Sequence, residues 1–174
     1  GDRFGRRRVF CWGAALFGLA SIGCGVAGSI SHLIIARAVQ GVGGALLVPG
    51  SLAIISASFD EERRGQAIGT WSAFTAITAG VGPVIGGWLV EHISWRAIFF
   101  INVPLALAVI AIAVLRVPES REKGASTNLD WLGAGFATLG LGTLVYGLIE
   151  SSRFGFGHPL VLTTLVVGAI SLTI

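Results

Sequence analysis

Long apolar stretches alternate along the chain with short breaks that hold most of the charged residues. A helix needs about 20 apolar residues to cross the hydrocarbon core of a bilayer, and the stretches match that requirement. The expected helices, including a sixth that is only partly present, cover Val9–Ser29, Leu33–Phe59, Gln66–Val90, Ala97–Val117, Trp131–Ile149 and the residues from Leu160 onward. The pattern predicts an all-α polytopic membrane protein with five complete transmembrane helices and part of a sixth.

The composition points to the same class of protein. Of the 174 residues, 53% are hydrophobic and 12% are charged, and the mean hydropathy is +0.82, which excludes an ordinary soluble domain. The sequence starts in a basic turn and stops inside an apolar stretch, so we expect it to be a segment of a longer protein. Cys11 and Cys24 lie on one predicted helix, roughly 20 Å apart along its axis, which is too far for a disulfide.

Basic residues are distributed unequally between the two sets of breaks. If Gly1–Arg8 faces the cytoplasm, then Asp60–Gly65 and Pro118–Asp130 face it as well. Counting Arg116 with the last of these, that side holds nine of the twelve lysines and arginines, the other side holds two, and Arg37 lies within a span. This asymmetry follows the positive-inside rule and predicts that residues 1–8, 60–65 and 118–130 are cytoplasmic. We interpret these charges as topology signals beside a lipid bilayer, with no nucleic acid as partner.

One full charge, Arg37, lies inside the apolar stretch Leu33–Phe59. A guanidinium at membrane depth costs about 2.5–3.5 kcal/mol even on the mildest insertion scale, so such a residue is rarely present without a role. Gln40, Gly41 and Gly44 follow at helical spacings that place them on the face of Arg37. We expect this face to meet protein or water, with the glycines allowing a neighbouring backbone to come close. The alternative is that Arg37 lies near the membrane edge and snorkels to it.

The stretch Gln66–Val90 carries small residues four apart, Gly82 with Gly86 and Pro83 with Gly87. Such a face lets a second helix approach backbone to backbone, and Pro83, which lacks an N–H, predicts a bend. Tight packing and a hinge both fit this pattern. A phosphate-binding glycine loop does not fit, because no strand precedes the glycines and no lysine follows them.

The first turn, Gly1–Phe10, places one acid among several arginines. Gly5 permits a tight turn at this point. Asp2 is positioned to pair with Arg3 or Arg6 and so to hold helix ends together. The simpler interpretation is a basic signal that sets topology alone.

Other polar residues mark the ends of predicted helices. Asp60 and Asp130 each precede a helix and are expected to act as N-caps. Asn102 and Pro104 open the helix that follows an aromatic-rich break, where rings favour the membrane interface. His92 lies at a helix end, where a solvated side chain is a more common outcome than a proton carrier.

These motifs resemble those of the major facilitator superfamily, and within it the fourteen-helix drug:proton antiporters. The superfamily's loop motif, which ends D-R-x-G-R-R, is similar to the sequence of Gly1–Arg8. Its fourth-helix motif, R-x-x-Q-G-x-G-A, is similar to the set Arg37, Gln40, Gly41 and Gly43, with Gly44 standing where alanine is usual.

The resemblance continues into the later helices. The antiporter motif of the fifth helix, g-x-x-x-G-P-x-x-G-G, is similar to Gly82-Pro83 and Gly86-Gly87, although Thr78 takes the opening glycine position. Trp95–Pro104 and Leu129–Gly133 also look like the fourteen-helix branch. The resemblance implies a partial fold of about helices 3 to 8 in a bacterial inner membrane. Residues 1–117 would belong to the N-terminal helical bundle, 118–130 to a cytoplasmic loop, and 131–174 to additional, truncated linker helices.

The resemblance also implies roles for individual residues. Arg37 would take part in proton coupling, beside the fourth-helix residues Gln40, Gly41 and Gly44. The glycines and proline of the fifth helix would shape the interface with the second half of the protein and limit leak. A gating loop at the cytoplasmic side would consist of Asp2, Arg3, Gly5, Arg6 and Arg7. A first guess at the wall of a substrate cavity is Gln40, Trp71, Phe74 and Thr75.

The function implied is proton-coupled export of drugs or other hydrophobic small molecules, with the proton gradient as energy source and no cofactor or metal. The partners would be the substrate, the missing remainder of the chain and an adaptor protein of the envelope. A dedicated metabolite exporter or an uptake carrier on the same scaffold is the alternative. A membrane anchor of a sensor or enzyme is disfavoured, because no loop exceeds about fifteen residues or holds a nucleophile with a nearby histidine and acid. A channel would need a filter-like segment, which the sequence lacks.

Overall fold

The computed structural model describes residues 5–120 and 131–173, and the regular structure within these ranges is helical. Its helices are α1 (Arg6–Gly25), α2 (Ile30–Ser58), α3 (Glu61–His92), α4 (Ala97–Phe100), α5 (Asn102–Arg116), α6 (Trp131–Phe154) and α7 (Pro159–Ser171). Five spans in this part of the chain are long and apolar enough to cross a membrane, with α4 and α5 counted together. The predicted all-α polytopic fold is confirmed, and Asp130 lies outside the described residues.

Two helices are longer than their apolar cores. α3 covers Glu61–His92, whereas hydropathy marked only Gln66–Val90, and α6 continues to Phe154, five residues beyond the predicted end. The added residues are mostly polar ones that extend a helix beyond its apolar part, at the start of α3 and at the end of α6. Hydropathy therefore predicts where a helix crosses the membrane better than where the helix stops.

The starts of α2 and α3 are capped differently. The Oγ of Ser29 accepts the N–H of His32 at 3.2 Å, which is a side-chain cap on α2. Asp60 takes the N-cap position of α3, but its side chain makes no capping bond. Its backbone carbonyl instead accepts the N–H groups of Arg63 and Arg64. The prediction of a side-chain cap at Asp60 was wrong, because the carboxylate does not turn back onto the helix.

The described residues form two compact units, one with α1 to α5 and one with α6 and α7. In the first unit, α1 packs antiparallel to both α2 and α5. A Cβ built on Gly43 of α2 would lie 2.7 Å from the backbone nitrogen of Phe17, and one on Gly18 would lie 3.0 Å from Ala106 Cβ in α5. Glycine at such crossings allows two helix backbones to approach closely.

α3 is packed far less than its neighbours, because it contains no buried residue. A Cβ built on any of Gly82, Gly86 and Gly87 would meet nothing within 4 Å. The small-residue face of this helix therefore has no close partner among the described residues.

In the second unit, α6 and α7 form an antiparallel hairpin held by close glycine contacts. A Cβ on Gly168 would lie 2.6 Å from Leu144 Cγ and 2.9 Å from the carbonyl oxygen of Gly140. A Cβ on Gly147 would lie 2.6 Å from the hydroxyl of Thr164. Gly140 and Gly147 of α6 therefore serve the packing of the hairpin itself.

Candidate functional site

Arg37 belongs to a hydrogen-bond network that links three helices of the first unit. Its Nη1 donates to Oε1 of Gln40 at 2.6 Å, one turn further along α2. Nε2 of Gln40 donates to Oγ of Ser21 on α1 at 2.5 Å, and Nδ2 of Asn102 on α5 donates to the same oxygen at 3.4 Å. We call these four residues the Arg37 network.

The centre of this network is closed to solvent. Ser21 is 0% exposed and Gln40 is 1% exposed, while Asn102 is half-buried and Arg37 is exposed in this unit. The Sγ of Cys24, which is also buried, lies 3.9 Å from Oε1 of Gln40. A buried amide or hydroxyl left without a partner costs about 1–3 kcal/mol, so the bond between Gln40 and Ser21 stabilises the packing of α1 against α2.

The chemistry of the neighbours fixes how the Gln40 amide is oriented. The hydroxyl of Ser21 donates its single proton to the carbonyl of Phe17 at 2.8 Å, so its oxygen is left to accept. Arginine has donors only. Gln40, which lies between them, must therefore turn its oxygen to Arg37 and its amino group to Ser21.

The aromatic segment with Trp95 and Phe99 lies at the end of the unit where Arg37 is located. The guanidinium carbon of Arg37 lies 5.9 Å from the ring centroid of Phe99 in α4, within the range of a cation–π contact. Arg96 donates to the carbonyl of Ala27, just after α1, at 3.2 Å and stacks over Trp95 at 4.5 Å. The connection between α3 and α5 thus holds the end of α1 and the Arg37 side chain together.

Arg37 lies inside α2, one of the spans that are long and apolar enough to cross a membrane. α2 has 29 residues, roughly 44 Å at 1.5 Å per residue, so the helix is longer than the hydrocarbon core of about 30 Å. If the helix is centred, Arg37 lies roughly 10 Å from the midplane. Its bond to Gln40 directs the guanidinium towards the middle of the helix, opposite to the direction that a snorkelling side chain takes.

The opposite end of the unit has a second polar cluster, centred on Glu119. Its Oε1 accepts the backbone N–H of Arg7 at 3.2 Å, and its Oε2 lies 3.6 Å from Nε of both Arg7 and Arg8. The backbone carbonyl of the next residue, Ser120, accepts the N–H of Arg6 at 3.1 Å. A carboxylate at a helix start is favoured because free N–H groups and the helix dipole are both positive there. Glu119 thus ties the residues after α5 to the start of α1.

Gly5 makes room for this carboxylate. Its φ is +100°, a conformation that other residues rarely adopt. A Cβ at this position would also lie 2.5 Å from Oε1 of Glu119. Both facts require glycine here.

The structure gathers part of the predicted gating loop at this end. Gly5, Arg6 and Arg7 lie together around Glu119, whereas Asp2 and Arg3 lie outside the described residues. Because α1 runs antiparallel to both α2 and α5, residues 5–8, 60–65 and 117–120 share one end of the unit. This agrees with their predicted placement on one side of the membrane.

The glycine of α2 that lies closest to another helix is not one of the two predicted to do so, Gly41 and Gly44. A Cβ on Gly41 would meet nothing within 4 Å, and one on Gly44 would lie 3.8 Å from the ring of Phe17. The close backbone approach occurs at Gly43. The prediction took the face that contains Arg37 as the packing face of α2, but the face that meets α1 contains Gln40 and Gly43.

Three of the residues guessed for a cavity wall line open grooves of the first unit. Trp71 and Phe74 line a groove of about 740 Å³ between α2 and α3. Trp71 and Thr75, together with Asn102, line a second cavity of about 390 Å³. Gln40 lies in neither of these, since it is buried in the Arg37 network. Its place in a cavity wall stays a prediction.

A family model described as "Major Facilitator Superfamily" matches residues 1–174 of the sequence. The chain belongs to the major facilitator superfamily. Its five apolar spans, its charged residue in the second of them and the basic start of α1 are therefore features of a protein of this superfamily.

Several curated members of the superfamily are similar to the chain over most of its length. The "Tetracenomycin C resistance and export protein" of Streptomyces glaucescens is 36% identical over 90% of this chain and 29% of its own length. The "Multidrug resistance protein Stp" of Mycobacterium tuberculosis is 40% identical over 89% and 29%, and the "Puromycin resistance protein pur8" of Streptomyces alboniger is 40% identical over 98% and 34%. The chain spans about a third of the length of these relatives.

Sequence reasoning missed three residues that the structure of this superfamily member brings into polar clusters. Ser21 is a single hydroxyl in an apolar helix, and nothing in its local pattern distinguishes it from a packing residue. Asn102 was interpreted only as the start of a helix. Glu119 had a usable signal, because it directly follows a span that ends on the side of the N-terminal arginines.

Proposed function

We propose that the protein to which this chain belongs exports drugs or other hydrophobic small molecules across a bacterial inner membrane, in exchange for protons. The observation that carries the proposal is the Arg37 network, a membrane-embedded charge held by buried polar groups. Such a residue is costly at this depth and marks substrate or ion pathways in transporters. The printed names of the relatives, which include export and resistance to several antibiotics, support drugs as the substrate class.

The role that Arg37 can play is limited by its chemistry. A guanidinium does not lose its proton in proteins, so Arg37 acts as a fixed positive charge and not as the proton carrier. Its hydrogen-bond acceptor in the described chain is the neutral oxygen of Gln40. We infer that a titrating carboxylate elsewhere in the transporter competes for this charge, binding it when ionised and releasing it when protonated.

The open glycine face of α3 supports a transport pathway that is completed by further helices of the protein. Its glycine face is open in this unit, and small-residue faces in membranes are used for close helix packing. We assign Gly82, Pro83, Gly86 and Gly87 to the interface with the remainder of the protein. Transport by this superfamily requires a cavity between two halves, and this chain supplies part of one half.

The grooves beside α3 suit an apolar substrate. The larger one is lined on one side by Ile55 and Phe59 and on the other by Trp71 and Phe74. Its volume of about 740 Å³ is within the range of small-molecule sites, which are mostly apolar with few polar groups. We assign this surface to the near wall of the drug pathway.

The full-length transporter tests the proposal in everted membrane vesicles energised to an acidic interior. Ethidium uptake into the vesicles and ethidium-induced loss of the pH gradient are measured for the unsubstituted protein, Arg37→Ala and Arg37→Lys. We expect Arg37→Ala to lose both signals, since no charge remains. Arg37→Lys keeps the positive charge but lacks the planar guanidinium group, so it should retain part of the ethidium uptake and part of the loss of the pH gradient.

A matched control is Arg96→Lys. Arg96 lies outside α2, and its guanidinium is stacked on Trp95. The variant should keep the coupling of ethidium to protons, provided that the expression levels are equal. If the unsubstituted protein neither moves ethidium nor dissipates the gradient, drug export is wrong. A narrow carrier for one metabolite would then be the better assignment.

A further inference from the structure

Gln40 on α2 and Phe99 on α4 both contact the guanidinium of Arg37. Nη1 of Arg37 donates to Gln40 at 2.6 Å, and the guanidinium carbon lies 5.9 Å from the centroid of the Phe99 ring. A single hydrogen bond fixes one nitrogen of the guanidinium, but the rest of the group can still turn about that nitrogen. The ring restricts this motion, because its negative face attracts a cation.

The ring of Phe99 is held in place without help from Arg37. Trp95 meets this ring edge to face, with the two centroids 6.0 Å apart and an angle of 89° between the planes. Arg96 stacks over Trp95 at 4.5 Å and donates to the carbonyl of Ala27 at 3.2 Å. The half-buried ring therefore belongs to a segment that is fixed to the end of α1, and the long side chain of Arg37 adapts to it.

The next ring of the same short helix, that of Phe100, packs in a different direction. A Cβ built on Gly25 of α1 would lie 2.6 Å from Cζ of this ring. Phe100 thus lies against the backbone of α1, whereas Phe99 lies against a charge. The two adjacent rings have separate contacts, so the effect of one can be measured against the effect of the other.

The partners of Arg37 hold the guanidinium less strongly than an acid would. A cation–π contact at an exposed site favours the held position by a factor of about 2–5, and by more where water is excluded. A carboxylate can bind the guanidinium through two hydrogen bonds, each about twice as strong as a bond between neutral groups. Arg37 is exposed in this unit, so a carboxylate that approaches it can draw it away from the ring.

We propose that Phe99 is a positioning residue that holds the guanidinium of Arg37 through a cation–π contact until a carboxylate takes it. This assignment rests on the proposed function for its consequence in transport. The contact itself involves only residues of this chain. Without the ring, Gln40 alone would hold Arg37, and the guanidinium would pass to a carboxylate more readily.

The first experiment tests the contact without transport, in the purified full-length protein in detergent. Phe99 is replaced by phenylalanines that carry one, two or three ring fluorines, which withdraw charge stepwise from the ring face and change its size little. The melting temperature is measured with Arg37 present and in Arg37→Gln, which keeps a donor for Gln40 and removes the charge. We expect a stepwise fall with Arg37 and a smaller one with Arg37→Gln. Equal falls in the two backgrounds would overturn the proposal, because the ring would then act by packing alone.

Phe100 is the matched control for this series. The same fluorinated residues at this position should give equal changes of melting temperature with Arg37 and with Arg37→Gln, since this ring packs on α1. Phe99→Leu provides a second measurement with natural residues. Its effect and that of Arg37→Gln should be non-additive in a double-mutant cycle, whereas additive effects would show that the two residues do not interact.

The second experiment follows ethidium-driven proton movement in everted vesicles as a function of pH. In Phe99→Leu the competing carboxylate gains Arg37 more easily, which favours its ionised form, so the pH at half-maximal rate should fall. The fall should be about one pH unit if the hold on Arg37 is weakened about tenfold. A ring with only a packing role would lower the amount of folded protein, and an unchanged pH profile would overturn the release of Arg37 to a carboxylate. If the unsubstituted protein shows no transport, the proposed function fails, and the fluorine series still decides the contact.

Discussion

The carboxylate of Glu119 occupies the space that a side chain at Gly5 would need. A Cβ on Gly5 would lie 2.5 Å from Oε1 of Glu119, although the two residues are far apart in the sequence. The carboxylate accepts the N–H of Arg7 and so closes the start of α1. This contact joins the first and last helices of the first unit at its basic end.

Gly5→Ala should therefore destabilise the protein. The positive φ of Gly5 strains any residue with a Cβ, by about 1–3 kcal/mol, and the methyl group would displace Glu119. Melting of the full-length protein in detergent measures the effect. Gly65→Ala is the control, since a Cβ there meets nothing within 4 Å, and equal melting temperatures for the two variants would contradict this account.

Glu119→Gln should destabilise the protein in a salt-dependent manner. The amide keeps the shape and an acceptor oxygen but loses the charge beside Arg7 and Arg8, and a carboxylate at a partly buried helix start contributes up to about 2 kcal/mol. The difference from the unsubstituted protein should shrink in 1 M salt, where the Debye length is about 3 Å. Glu62→Gln, at an exposed site, should have little effect at either ionic strength.

Gly43→Ala and Gly41→Ala should differ although the two sites are two residues apart. At Gly43 the new methyl group would lie 2.7 Å from the nitrogen and 3.0 Å from the Cα of Phe17, and a backbone cannot rotate away. We expect α1 and α2 to be forced apart, with a loss of about 1–3 kcal/mol. Gly41→Ala enters open space in this unit. Comparable losses from both variants would show that the crossing is not at Gly43.

Gly168→Ala tests the second unit in the same way. Its methyl group would lie 2.9 Å from the carbonyl oxygen of Gly140, so the hairpin of α6 and α7 should open. Disulfide formation between Cys residues introduced at Gly147 and Thr164 of the full-length protein, where a Cβ on Gly147 would lie 2.6 Å from the Thr164 hydroxyl, gives a direct measure, and its yield should fall in the variant. Gly142→Ala is the control, because nothing lies within 4 Å of a Cβ there, and an undiminished yield with Gly168→Ala would refute the contact.

Most of the fold was predictable because membrane spans are set by a local property. About 20 apolar residues in sequence are sufficient to predict a crossing, and α2 begins at Ile30, within three residues of the expected Leu33. The location of Arg37 inside a span was predictable for the same reason. Its position within a span depends on the count of residues along one helix.

The partners of these residues were not predictable, because they depend on distant segments. Among the described residues, the acid that pairs with Arg7 and Arg8 is Glu119, which lies more than 100 residues away in the sequence; the pairing predicted for Asp2 lies outside the described residues and stays a prediction. The interior polar group is completed by Ser21 and Asn102, which belong to two other helices. The face of α2 that packs on α1 could not be chosen from periodicity alone, since both Gly41 and Gly43 are small and only the docked helix distinguishes them.

The hairpin of α6 and α7 has a consequence for biosynthesis. Its closest contacts, such as Gly140 with Gly168, lie between consecutive helices, so each helix meets its partner as soon as the second one is made. A pair of this kind can leave the insertion machinery as one piece, because Gly140, Gly147 and Gly168 are already covered by the partner helix. Such a module can be added to a helical bundle during evolution without redesign of the helices already present.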